Sequence, residues 1–244
     1  MDGLAPDLAW AVMHPEGVFV VDTGEIASAT KRGYYPSWHP YYCTSLEVDI
    51  KPEEEIGPQL RQLGIVPERD VRAVVLTHFH TDHVGGLAHF PGVRVLASAA
   101  DYRAAQGVCG RINGYLPGRL PDDFAPEPFA FRDGAVGPFS QSVALTSDGA
   151  ITVIPTPGHT SGHASVVVRR KEAVYFLAGD TSYTEDKLLG LEADAVTSTP
   201  AQMRATQEKI AAFARTEPVV YLPSHDVGSV GRLRAGVTLA PEAV

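Results

Sequence analysis

An α/β fold is predicted by three features of this 244-residue sequence. Seven short apolar, β-branched runs read as core strands, helical patterns fall between some of them, and the residues capable of chemistry stand just past the ends of several runs. With 44% apolar residues the chain fills a substantial core, and its glycines and prolines are too dispersed to mark a linker. A single domain over residues 1–244 is therefore expected.

In chain order, the first strand is predicted at 18–21, closed by the turn Asp22-Thr23-Gly24. A helical pattern at 53–63 leads to strands at 71–76 and 93–96, and a second helix is expected at 99–106. Strands at 151–154, 165–168 and 174–177 follow, then a helix at 201–214 entered through Thr199-Pro200, a capping residue with proline at the first helical position. The last strand is predicted at 219–222.

A formal net charge of −9, with no local Lys/Arg cluster, opposes binding to a phosphate backbone, so no nucleic acid partner is expected. The sequence begins without a basic, then apolar, leader and holds no uninterrupted apolar run of about 18 residues, which predicts no membrane association and a cytoplasmic location. Cys43 and Cys109 form no CxxC pair and are read as ordinary thiols.

The chemistry concentrates in Thr77-His78-Phe79-His80-Thr81-Asp82-His83, three imidazoles and a carboxylate within six positions. In an extended stretch His78 and His80 point to the same side and can share one ion. If the chain then turns into a helix, Asp82 and His83 can address a second ion beside it. His159, Asp180 and His225 stand past the ends of later strands, so four separate strand ends deliver ligand-type side chains to one edge of the core. Nitrogen and carboxylate donors suit Zn²⁺ and also Fe, Mn or Co. His14, His39, His89 and His163 are read as structural or exposed; His163 lies four residues past His159, but the Thr156-Pro157-Gly158-His159 context favours the latter.

His78, His80, Asp82 and His83 form the HxHxDH signature by which the chain resembles the metallo-β-lactamase-fold hydrolase superfamily. The resemblance implies a four-layer αβ/βα sandwich with a dinuclear site at the edge of its two sheets. It implies two divalent ions, Zn²⁺ by preference: one held by His78, His80 and His159, the other by Asp82, His83 and His225, with Asp180 between them. Asp22 corresponds to an aspartate that orients a ligand histidine through its other nitrogen. Two ions roughly 3.5 to 4 Å apart share a water, lower its pKa and polarise the substrate carbonyl, so the expected nucleophile is a bridging hydroxide. Asp82 is also the best-placed carboxylate to carry a proton to the leaving oxygen.

Within that superfamily, Gly179-Asp180-Thr181-Ser182-Tyr183 and Pro223-Ser224-His225-Asp226 are similar to segments of the N-acyl-homoserine lactone lactonases. The similarity implies a small-molecule ester or lactone substrate, with Tyr183 donating a hydrogen bond to the developing oxyanion, and it leaves a homodimer open. Such lactonases usually carry a longer N-terminal segment than the one preceding the 18–21 strand, so the 38–42 aromatic run and the 107–128 loop are candidate walls for an acyl chain. Among rival readings, a glyoxalase II type thioesterase shares the ligands but adds a helical domain, and only 19 residues follow His225. Subclass B1 β-lactamases place cysteine where Asp180 stands. A metal-binding module without turnover is the rival outside enzymology, and the full ligand set argues against it.

Overall fold

β-Branched side chains lose rotamer freedom in a helix and pack well on a pleated surface, and the runs rich in them form the strands of the protein. The computed structural model describes residues 5–44, 46–122 and 124–240. The chain divides into two units, Met1–Ala97 with Tyr102–Glu127 and Ser98–Asp101 with Pro128–Val244.

The first unit is built on β1 (Trp10–His14), β2 (Gly17–Val21), β3 (Val71–Val75), β4 (Val95–Ala97) and the two-residue β5 (Glu127–Pro128), hydrogen-bonded in that order. β2 and β3 run parallel, as do β3 and β4, whereas β1 returns antiparallel on β2. β1 is an addition to the strands the sequence predicts. Its burial falls and rises with a period of two, and the Pro15-Glu16 turn hands the chain to Gly17 at φ 127°, a conformation that favours glycine. Val20, Val74, Leu76, Phe79 and Leu87 belong to the buried cluster beneath this sheet.

The helix expected at 53–63 is instead a 3₁₀ turn, Pro52–Glu54, followed by an α-helix, Ile56–Gln62. Glu55 interrupts them in an extended conformation, φ −65° and ψ 152°. That break lets its carboxylate accept from the Ala27 amide at 2.9 Å and pair with His89 Nε2 at 2.6 Å. His89 thus has a structural partner, as the sequence reading expects.

The second unit carries β6 (Val143–Ala144), β7 (Ile151–Pro155), β8 (Ala164–Arg169), β9 (Val174–Gly179) and β10 (Val219–Pro223) in the order β10-β9-β8-β7-β6. β9 and β10 are parallel, while β7 and β9 are both antiparallel to β8. It follows that β7, β9 and β10 run the same way and end at one edge of the sheet. The Pro200–Ala214 helix starts with proline at its first turn, though Thr199 makes no side-chain cap, and buries Met203, Gln207, Ile210 and Phe213 along one face. Among the described residues no helix is long and apolar enough to cross a membrane.

Candidate metal centre

In the first unit the chain leaves β2 at Asp22 and β3 at Thr77-His78, the adjacent ends of two parallel strands. Asp22 adopts φ 57°, the left-handed region that aspartate tolerates better than most residues. This turn aims its carboxylate across the edge. Oδ1 accepts from the Thr77 amide at 2.8 Å, and Oδ2 accepts from the Thr77 hydroxyl and from His83 Nδ1, each at 2.8 Å. With the proton of His83 held on Nδ1, its Nε2 faces outward, 3.6 Å from Asp82 Oδ2. The Thr81–Val84 helix carries that pair, as expected, and Gly86 lets it close down. A Cβ there would lie 2.4 Å from the Thr23 carbonyl oxygen. His78 and His80 are not in a regular strand, yet their rings meet as the extended reading predicts, with Nε2 of one 3.0 Å from Nδ1 of the other.

The second unit delivers three more donors from the shared edge of β7, β9 and β10. His159 sits in the turn after β7, Asp180 follows Gly179 at the end of β9, and His225 follows Ser224 at the end of β10. Asp180 Oδ2 lies 3.4 Å from His159 Nε2 and 3.2 Å from His225 Nε2. The Ser224 amide donates to the Gly179 carbonyl at 3.1 Å, which ties the β10 end to the β9 end. Tyr183 packs its ring edge-on against both imidazoles, 6.0 Å from His159 and 5.1 Å from His225 between centroids.

These separations fit a metal. Donors 2.0–2.1 Å from a tetrahedral zinc stand about 3.3 Å from one another, and the four donor pairs within the two units are spaced at 3.0, 3.6, 3.4 and 3.2 Å. Each unit therefore presents a preformed nitrogen and oxygen set, His78, His80, Asp82 and His83 in one, His159, Asp180 and His225 in the other.

Several supporting residues were not foreseen, because their partners are remote in sequence. Asp194 accepts from the Tyr183 amide at 2.9 Å and from Lys187 Nζ at 2.8 Å; burial pushes its carboxyl up, against the pull of Lys187. Gln207 donates to the Thr181 carbonyl at 3.0 Å, and the Tyr221 hydroxyl lies within 2.8 Å of both Thr181 and Ser182 hydroxyls. In the first unit Glu25 is buried beneath Tyr34 and Tyr35, whose hydroxyls donate to its two oxygens at 3.1 and 2.7 Å. The 107–128 stretch is more structured than a loop, with an α-helix at Gly107–Ile112 and a 3₁₀ turn at Pro117–Arg119. The 38–42 run reaches it through His39 on the Ile112 carbonyl and Tyr42 on the Gly114 carbonyl, and Tyr115 lies 4.9 Å from the His80 ring.

Comparison with known proteins agrees with this architecture. Residues 4–225 match the family model described as the metallo-β-lactamase superfamily. The N-acyl homoserine lactonase AttM of Agrobacterium fabrum is 30% identical over 225 residues, covering 88% of this chain and 80% of that protein. A protein named probable metallo-hydrolase from Mycobacterium tuberculosis is 31% identical over 67% of this chain, and the match spans about half, 52%, of its length. Among solved structures, an N-acyl homoserine lactone hydrolase with N-hexanoyl-L-homoserine at its catalytic metal centre superposes with a TM-score of 0.70 at 20% identity, over 98% of this chain and 87% of that one. The B. thuringiensis lactonase AiiA with N-decanoyl-L-homoserine bound gives the same TM-score at 19% identity, with the same coverage of both chains. Two mixed sheets with histidines and aspartates at their strand ends, an HxHxDH motif and a family match along most of its length place this chain in the metallo-β-lactamase superfamily of metal-dependent hydrolases.

Proposed function

We propose that the two units act as one dinuclear hydrolase domain that opens the lactone ring of N-acyl-homoserine lactones. In this reading His78, His80 and His159 hold one divalent ion, Asp82, His83 and His225 hold the other, and Asp180 serves both. The observation that carries it is the Asp180 carboxylate, whose Oδ2 stands 3.4 and 3.2 Å from two imidazoles assigned to different ions. The lactonase relative that spans 80% of its own length supports a lactone over other esters.

When bound, the ions activate a water molecule and polarise the substrate carbonyl. Tyr183, steadied through its amide by Asp194, donates a hydrogen bond to the carbonyl oxygen as that oxygen gains charge. Asp82, partly exposed where its neighbour His83 is buried, carries the proton that the ring oxygen needs on leaving. The aromatic 38–42 segment and the 107–119 segment supply the apolar wall for the acyl chain.

The test is metal content followed by turnover of an N-acyl-homoserine lactone, a thioester and a phosphodiester under identical conditions. Two equivalents of metal and proton release from the lactone are expected. Faster thioester turnover moves the assignment to a thioesterase, and bound metal without turnover of any ester makes the chain a binding module.

A further inference from the structure

His159 and His163 lie in one turn, but only His159 faces Asp180 as a candidate ligand. His163 is fully buried, and its two nitrogens point into the sheet edge. Nε2 accepts from the Asp180 amide at 3.0 Å; Nδ1 lies 3.1 Å from the Thr156 carbonyl oxygen and 2.9 Å from the Thr156 hydroxyl. An amide only donates and a carbonyl only accepts, so the ring is neutral with its proton on Nδ1. Thr156 then donates to the Ser165 hydroxyl at 2.8 Å, and Ser165 donates to the Ala178 carbonyl at 3.0 Å. The chain of bonds leaves β9 at Asp180, crosses the ends of β7 and β8, and returns to β9 at Ala178. It encloses Gly179, whose φ of 56° turns the strand so that the Asp180 side chain leaves the sheet. The turn itself is fixed by close packing, since a Cβ on Gly162 would lie 2.5 Å from Ser98 Oγ.

We infer that His163 is a positioning residue, a neutral imidazole held in one tautomer that fixes the Asp180 peptide and so sets where its carboxylate stands between the two ions. The inference rests on the reading of Asp180 as a shared ligand. A metal ligand misplaced by a fraction of an ångström binds more weakly, and partners that orient ligands typically contribute 10- to 100-fold in affinity. No other side chain in the described structure bonds the Asp180 amide.

The experiment is Zn²⁺ titration against a chromophoric chelator, with the visible spectrum of the Co²⁺-loaded protein as a second readout, on wild type, His163→Phe, His163→Gln and Asp180→Asn. Phenylalanine keeps the ring but cannot accept; the glutamine carbonyl reaches the place of Nε2. His163→Phe should weaken the second metal equivalent by about tenfold or more and alter the Co²⁺ spectrum, and His163→Gln should restore both. Wild-type affinity in His163→Phe alongside a loss in Asp180→Asn overturns the role of His163 alone. Two tight equivalents in Asp180→Asn overturn the shared-ligand reading and this inference with it. Should His163→Phe fail to fold, as judged by circular dichroism, His163→Asn replaces it, because asparagine is too short to reach the Asp180 amide. Equal affinities for the Gln and Asn variants then overturn the inference.

Discussion

Asp22 Oδ2 accepts the Nδ1 proton of His83 at 2.8 Å from a residue 61 positions away, and the same carboxylate holds the Thr77 amide and hydroxyl. One acid therefore fixes a ligand's tautomer and the exit of the chain from β3. Asp22→Asn offers an amide nitrogen or a weaker acceptor to His83, so it is expected to lower zinc affinity about 10- to 100-fold. Competition with a chelator measures this; an unchanged dissociation constant would remove Asp22 from the metal centre.

Tyr183→Phe keeps the ring against His159 and His225 but deletes the hydroxyl. A lost oxyanion donor should reduce kcat on lactones by about tenfold or more with little change in KM. A kcat equal to that of wild type on lactones of every chain length excludes the phenol from the reaction.

Glu25 introduces a pH dependence of its own. Burial pushes its carboxyl from 4.5 up to about 7, although the Tyr35 and Tyr34 hydroxyls and the Ile26 amide favour the charged form. A raised pKa in the fold means that the stability associated with the neutral acid is complete below about pH 4.5, falls as pH rises toward 7, and is lost above it. The loss is on the order of 2–3 kcal/mol. Glu25→Gln should flatten this part of the profile and leave the variant more stable than wild type at pH 8. Urea denaturation of the metal-free protein between pH 5 and 9 makes the comparison, and parallel profiles for the two proteins would refute the assignment.

Gly158 holds φ 147° beside His159, and a Cβ there would lie 2.3 Å from Met203 Cα and 2.5 Å from its nitrogen. Both obstacles are helix backbone and cannot swing aside. Gly158→Ala is expected to cost about 3 kcal/mol or more and to lower Tm by on the order of 10 °C, with weakened metal binding because His159 moves too. A Tm within about 2 °C of wild type contradicts the close approach.

The strands that carry ligands were legible in the sequence because their interiors are β-branched and their ends are abrupt. Thr77-His78, Asp180 and Ser224-His225 each follow directly on an apolar run. β1 escaped because Trp10–His14 is an edge strand whose half-exposed alternation is weak, and β5 and β6 because two residues give no period. Glu55 broke a continuous helical pattern through contacts with Ala27 and His89, 28 and 34 positions away, which local propensity does not encode. The donors of the site were readable for the same reason that their supports were not. Donors cluster in motifs, whereas Asp194, Gln207 and His163 act through backbone groups whose neighbourhood only folding creates.

The parallel sense of β7, β9 and β10 hangs every reactive side chain of the second unit from a strand terminus and none from a strand interior. Mutations in the oily middle of those strands and mutations in the loops beyond His159, Asp180 and His225 thus fall on separate territory. A lineage can remodel which molecules it accepts by exchanging the loops, while the scaffold that keeps the donors in register drifts on its own clock.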